Sequence, residues 1–159
     1  MELEIPHCKT AIMVVLALAA AAPLISQTTC EQYDTIPVNN GEYNIQTDEW
    51  NSTALQCLTI TGASFTVTTA DFDLPTDGSP AAFPSIYKGC HWGTCTSNSR
   101  LPLQVSNIKT AVTKWSTTPA PGNWDTAYDI WFNQTSTTTG QPNGAELMIW
   151  INHQGPPQP

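Results

Sequence analysis

The sequence predicts an all-β chain folded as an antiparallel β-sandwich or jelly roll, and three observations carry that expectation. Short runs alternate apolar and polar residues with a period of two, the signature of half-buried strands. Clusters of Gly, Pro, Asn, Asp and Ser separate those runs, as turns require. Threonine, whose branched side chain suits a pleated surface, is frequent, and no stretch beyond the leader carries a sustained helical period.

In chain order, the first element is a leader. Residues 11–22 form an unbroken apolar run of twelve, preceded by Lys9 and followed by small residues and Pro23. A positive flank, a short apolar segment and a small-residue exit make a signal peptide, and the run is too short to span a bilayer comfortably. The expected division is therefore a signal peptide over 1–26 and one domain over 27–159. Strands are expected over 64–68, 101–105, 111–115, 124–132 and 145–151. Turns are expected at 39–41, 75–80, 119–122 and 139–144, and the threonine-rich stretch 135–139 reads as a hairpin tip.

Once Cys8 leaves with the leader, Cys30, Cys57, Cys90 and Cys95 remain. An even number in an exported chain implies two disulfides; three pairings are possible, and pairing of sequence neighbours is favoured. The alternative, a metal site at Cys90-His91-x3-Cys95, matches no common zinc spacing. Beyond the leader, eleven acids face four basic residues, a net −7. No basic patch is available for phosphate backbones, which excludes nucleic acid as an expected partner. A G-x-S-x-G elbow and a glycine-rich phosphate loop are both missing from the sequence, and only His91 and His153 lie beyond the leader. Sequons at Asn51 and Asn133 are candidate N-glycosylation sites.

The chemistry is expected on the strand 145–151. Alternation points Ala145, Leu147, Ile149 and Ile151 to one face, as core, and Glu146, Met148 and Trp150 to the other. An indole offers a flat surface to the apolar face of a pyranose, a thioether adapts to irregular contacts, and a carboxylate flanked by apolar groups has its pKa raised. In the strand 124–132, Tyr128, Ile130 and Phe132 share one face and Ala127, Asp129 and Trp131 the other. If the two strands are neighbours, Asp129 can hold Glu146 through a shared proton.

These residues carry a resemblance. Glu146-Leu147-Met148-Ile149-Trp150, Ala127-Tyr128-Asp129-Ile130-Trp131 and the block from Pro84 through Lys88-Gly89-Cys90-His91-Trp92-Gly93 to Cys95 resemble family 12 of the glycoside hydrolases. Leu101-Pro102-Leu103, Pro142-Asn143-Gly144 and the paired cysteines agree with it. The resemblance implies a concanavalin-like jelly roll whose concave face binds β-glucan, hydrolysing β-1,4 bonds with retention. It implies Glu146 as nucleophile and Asp129 as its support. It places Trp50, Asp48, Met148, Trp150, His91 and Trp92 along the substrate. It requires no cofactor and no metal. The family's acid/base glutamate sits in a Gly-Phe-Glu-x-Trp-like segment that the 159 residues do not contain. The jelly roll is therefore expected to be incomplete at the C-terminus, and the chain alone to be inactive. The expected protein is a secreted monomer, with no membrane association after leader cleavage. The rival readings are a non-catalytic β-glucan-binding sandwich and an effector-like remnant of a dead enzyme.

Overall fold

A computed structural model describes residues 26–140 and 142–155. The expected leader lies outside the described residues except for Ser26, which opens the first strand. The described residues are all-β and antiparallel, with a single 3-10 turn at Val105–Asn107.

Two three-stranded sheets form the sandwich. One orders β1 (Ser26–Thr29), β4 (Gln56–Thr61) and β5 (Ser64–Ala70) as β1-β4-β5. The other orders β2 (Thr35–Val38), β3 (Tyr43–Gln46) and β6 (Ser85–Tyr87) as β2-β3-β6. Their facing side chains make the core. Ile45 from β3 and Leu58 and Ile60 from β4 are buried, and Ile36, Val38, Phe65 and Ile86 pack around them. Asn39, Asn40 and Gly41 all adopt positive φ between β2 and β3, which is the expected turn at 39–41. The disulfide Cys30–Cys57 ties the segment after β1 to β4, and Cys90–Cys95 bridges β7 (Cys90–His91) and β8 (Thr94–Cys95). Both are the sequence-neighbour pairings. Trp92 and Gly93, both at positive φ, make the two-residue turn between β7 and β8.

A separate two-stranded sheet pairs β9 (Trp124–Phe132) with β10 (Ala145–Gln154). These are the strands expected at 124–132 and 145–151, the second extended by three residues. The stretch 135–139 lies in their connecting loop, where the Thr137 hydroxyl donates to the Thr139 carbonyl.

Three expectations are corrected. Residues 101–105 are not a strand: Leu101–Pro102 is a cis peptide, Pro102 has no N–H to give a ladder, and the chain turns into the 3-10 segment. Residues 111–115 alternate but pair with nothing; Val112 is 95% exposed, and Trp115 alone docks, edge-on against Phe65 with ring centroids 6.3 Å apart. The aliphatic face of β10 is not core. Leu147, Ile149 and Ile151 stay 44–47% exposed, because β9–β10 is hydrogen-bonded to no third strand and no sheet covers it among the described residues.

Candidate active site

The β9–β10 register assembles one group of side chains. Glu146 lies opposite Trp131, Met148 opposite Asp129, and Trp150 opposite Ala127. Directly opposed residues in an antiparallel pair project to the same face, so Glu146, Met148, Trp150, Asp129 and Trp131 share one surface. Asp129 stands diagonally across from Glu146, as the alternation of the two strands anticipates. The Glu146 pKa is raised, first by desolvation, then by its side-chain hydrogen bond to Asp129 and by the charge of Asp129. The Trp131 indole N–H donates to Asp129 Oδ2 at 2.8 Å, which anchors that carboxylate. The result is a carboxyl pair in which one member is anchored and the other kept protonated to higher pH. Both stand on an open surface beside an indole and a thioether.

A β-bulge adds a residue that the sequence pattern hides. Strict alternation places His153 with Leu147 and Ile149. The register shifts between Trp150 and Asn152, leaving Ile151 unpaired and setting His153 opposite Asp125. His153 thereby joins the face of Glu146 and Trp150, and its ring tilts against the Trp150 indole with centroids 6.1 Å apart. Burial raises the Asp125 pKa, with partial opposition from His153. No period in the sequence marks this bulge.

A second group forms where the chain runs on from β3. The segment 47–51 is bound on both sides. Thr47 N–H donates to Asp34 O (3.2 Å) and Glu49 N–H to Gln32 O (3.0 Å), while Phe83 N–H donates to Asp48 O (3.0 Å) and Asn51 N–H to Ala81 O (3.1 Å). Thr47 and Glu49 therefore turn inward and are buried, and Trp50 turns outward, 46% exposed. The Trp50 ring lies parallel to Phe83 within 5°. Burial raises the Asp48 pKa, and the nearby His91 partly offsets it, which places Asp48 and His91 in the same neighbourhood. Trp92, next in the chain, is exposed at the β7–β8 turn. Asp48, Trp50 and His91 are thus gathered around β3 and its extension, while Glu146, Asp129, Met148 and Trp150 are gathered on β9–β10. The two groups sit on sheets that share no hydrogen-bonded strand.

The sequence reading missed Phe83 and Glu49. Phe83 lies in an irregular segment where no alternation exists to be read. Glu49 is buried with Oε1 unpartnered; burial raises its pKa, and a side-chain hydrogen bond from Gln56 opposes the rise. Both sequon asparagines are exposed. The Asn51 amide already donates to Ser79 O and Pro80 O, and Asn133 Oδ1 accepts from Asn143 N–H at 2.7 Å.

Comparison with known proteins gives this geometry its context. Residues 41–159 match the sequence profile of Glycosyl hydrolase family 12. Endoglucanase S of Pectobacterium parmentieri is 39% identical over 74 residues, covering 45% of this chain and 28% of that protein. Probable cellulase Cel12b of Mycobacterium tuberculosis is 45% identical over 62 residues, covering 38% of this chain and 40% of that protein. Among solved structures, endo-1,4-beta-glucanase CelB2 superimposes with a TM-score of 0.72 at 36% identity, over 83% of this chain and 59% of that one. Endoglucanase cel12A from Rhodothermus marinus gives 0.68 at 36% identity, over 81% of this chain and 58% of that one. The chain thus spans well under half of these two curated relatives and about three fifths of each solved structure.

Proposed function

This chain belongs to glycosyl hydrolase family 12, and from that premise we propose that it carries the nucleophile side of a secreted, retaining endo-β-1,4-glucanase. The substrate class is β-1,4-glucan: cellulose, xyloglucan or mixed-linkage glucan. The observation that carries the proposal is the carboxyl pair Glu146 and Asp129 set on one face with Met148 and Trp150. A retaining mechanism needs one carboxylate to attack the anomeric carbon while a second carboxyl, about 5–5.5 Å away, protonates the leaving oxygen. Glu146 takes the first role. Asp129, held by Trp131, accepts a hydrogen bond from the protonated Glu146 carboxyl and adds a negative charge, and both tune when Glu146 ionises. Asp129 is a neighbour of Glu146 on the same sheet face, so it supports the nucleophile and does not reach the leaving group from the opposite wall. The proton donor is the Gly-Phe-Glu-x-Trp-like glutamate that the resemblance implies and these 159 residues lack. Trp50, Asp48, His91 and Trp92 line the substrate path in this reading. Export is supported by the leader and by two disulfides, which suit an oxidising compartment. The sequons at Asn51 and Asn133 are candidate glycan acceptors; a glycan on Asn51 would compete with the bonds its amide already makes to Ser79 O and Pro80 O.

The test uses the chain as it is, with aryl β-cellobiosides of graded leaving-group acidity. A dinitrophenolate departs without a proton, so dinitrophenyl cellobioside is cleaved in one turnover, whereas glucan and phenyl cellobioside are not. Glu146→Gln abolishes that cleavage. A chain that binds cello-oligosaccharides equally well with and without Glu146, and releases no dinitrophenolate, is a non-catalytic binding sandwich instead.

A further inference from the structure

We propose that Phe83 is a second carbohydrate-stacking residue, extending the platform of Trp50, and that Asn51 is the positioning residue that holds it there. The inference rests on the β-glucan reading above. The Trp50 and Phe83 rings are parallel within 5°, with centroids 6.1 Å apart. Ring planes in contact are separated by about 3.5 Å. At that separation a centroid distance of 6.1 Å corresponds to a sideways offset of about 5 Å, so each ring covers only part of the other. Exposure agrees: Trp50 is 46% and Phe83 44% open. Two such rings standing side by side are a stepped apolar surface, wider than one indole. Parallel flat faces fit the successive apolar faces of linked pyranoses, and the nearby Asp48 and His91 supply acceptor and donor groups for their hydroxyls.

The step is built, not incidental. Phe83 belongs to a loop with no regular hydrogen-bond ladder, yet its neighbourhood is fastened to the Trp50 segment at four points. Phe83 N–H donates to Asp48 O at 3.0 Å and Asn51 N–H to Ala81 O at 3.1 Å. The Asn51 side-chain amide donates to Ser79 O at 3.2 Å and Pro80 O at 3.3 Å. Asn51 follows Trp50 directly, so one residue pair supplies both the first ring and the latch for the second. Removing the Asn51 amide leaves the fold's core untouched and takes away two of the four fastenings, loosening the loop that carries Phe83 while its backbone bonds to Asp48 and Asn51 remain.

The experiment compares binding of cellobiose and cellohexaose to the wild-type chain and to F83L, F83Y, N51A and W50A, by titration calorimetry, with thermal melts as the folding control. Leucine keeps the apolar packing and removes the flat face. F83L is expected to bind cellohexaose about three- to tenfold more weakly, with cellobiose changed less than twofold, and F83Y to restore the loss. N51A is expected to weaken cellohexaose binding with an unchanged melt. Cellohexaose affinity that F83L leaves at the wild-type value, while W50A reduces it, overturns this inference alone. Affinity that neither W50A nor F83L changes overturns the sugar-platform reading of the whole segment.

Discussion

Gly144→Ala is the sharpest probe of how the fold positions the nucleophile. Gly144 closes the hairpin one residue before β10 and two before Glu146, and its N–H donates to the Phe132 carbonyl at 3.1 Å. A Cβ built there would stand on the Phe132 carbonyl oxygen, 3.0 Å from its carbon and 3.2 Å from Asn133 Cα. These neighbours are backbone, so the overlap is not relieved by a rotamer change; the strands must part. Restoring ordinary contact opens the hairpin base by roughly 0.5–1 Å, and a misplacement of that size at a reacting group can cost about a hundredfold in rate. Overpacking of this kind also costs about 1–3 kcal/mol where a structure cannot relax. The exposed hairpin relaxes readily, so the stability loss should fall at the low end. The assay is single-turnover release of dinitrophenolate from the aryl cellobioside, beside a thermal melt. A rate loss of tenfold or more with a melt shifted by only a few degrees is expected. A variant that cleaves at the wild-type rate would refute the claim that the Gly144 approach fixes Glu146.

Three further outcomes follow from the geometry. The Glu146 pKa is raised first by desolvation, which Asp129→Asn leaves in place; the substitution removes the further contribution of the Asp129 charge and leaves an amide able to donate to Glu146, so the acid limb of the single-turnover pH profile moves to lower pH. Glu49→Gln removes a buried carboxyl whose folded-state pKa is raised by burial. Such a group favours folding at acidic pH and loses that contribution as pH rises through its folded pKa, so the stability advantage of the glutamine variant in urea melts grows from acid to neutral pH. Replacing Cys30 and Cys57 by serine opens a loop with a sequence separation of 27, which costs about 3–4 kcal/mol in chain entropy, measurable by denaturant unfolding.

The parts of this fold most readily read from the sequence are the long runs uninterrupted by Gly or Pro. Strand β9 and the start of β10 were legible because seven or more residues, largely apolar, run on without Gly or Pro, and the Glu146–Asp129 neighbourhood followed from laying those strands side by side. Alternation failed at 101–105 and 111–115 because a pattern fixes which way side chains point but not whether a partner strand exists. The short strands β2, β3 and β6 hold three or four residues each, too few for a period to show. In β3, the buried Asn44 breaks the apolar rule and is satisfied by donating to the Tyr87 hydroxyl at 3.0 Å. Phe83 and His153 were hidden for different reasons: one is placed by a latch from a distant asparagine, the other by a bulge that reverses its face.

The central claim, that the Glu146 carboxylate attacks an anomeric carbon, is tested most directly by trapping. A dinitrophenyl fluoro-cellobioside forms a Glu146 glycosyl ester as dinitrophenolate leaves with the bond's electron pair, and the electron-withdrawing fluorine slows hydrolysis of the ester. Peptide mass spectrometry should find one fluoro-cellobiosyl group on the peptide containing Glu146, and none in Glu146→Gln. Label on another carboxylate, or none on a chain that binds the reagent, would contradict the assignment.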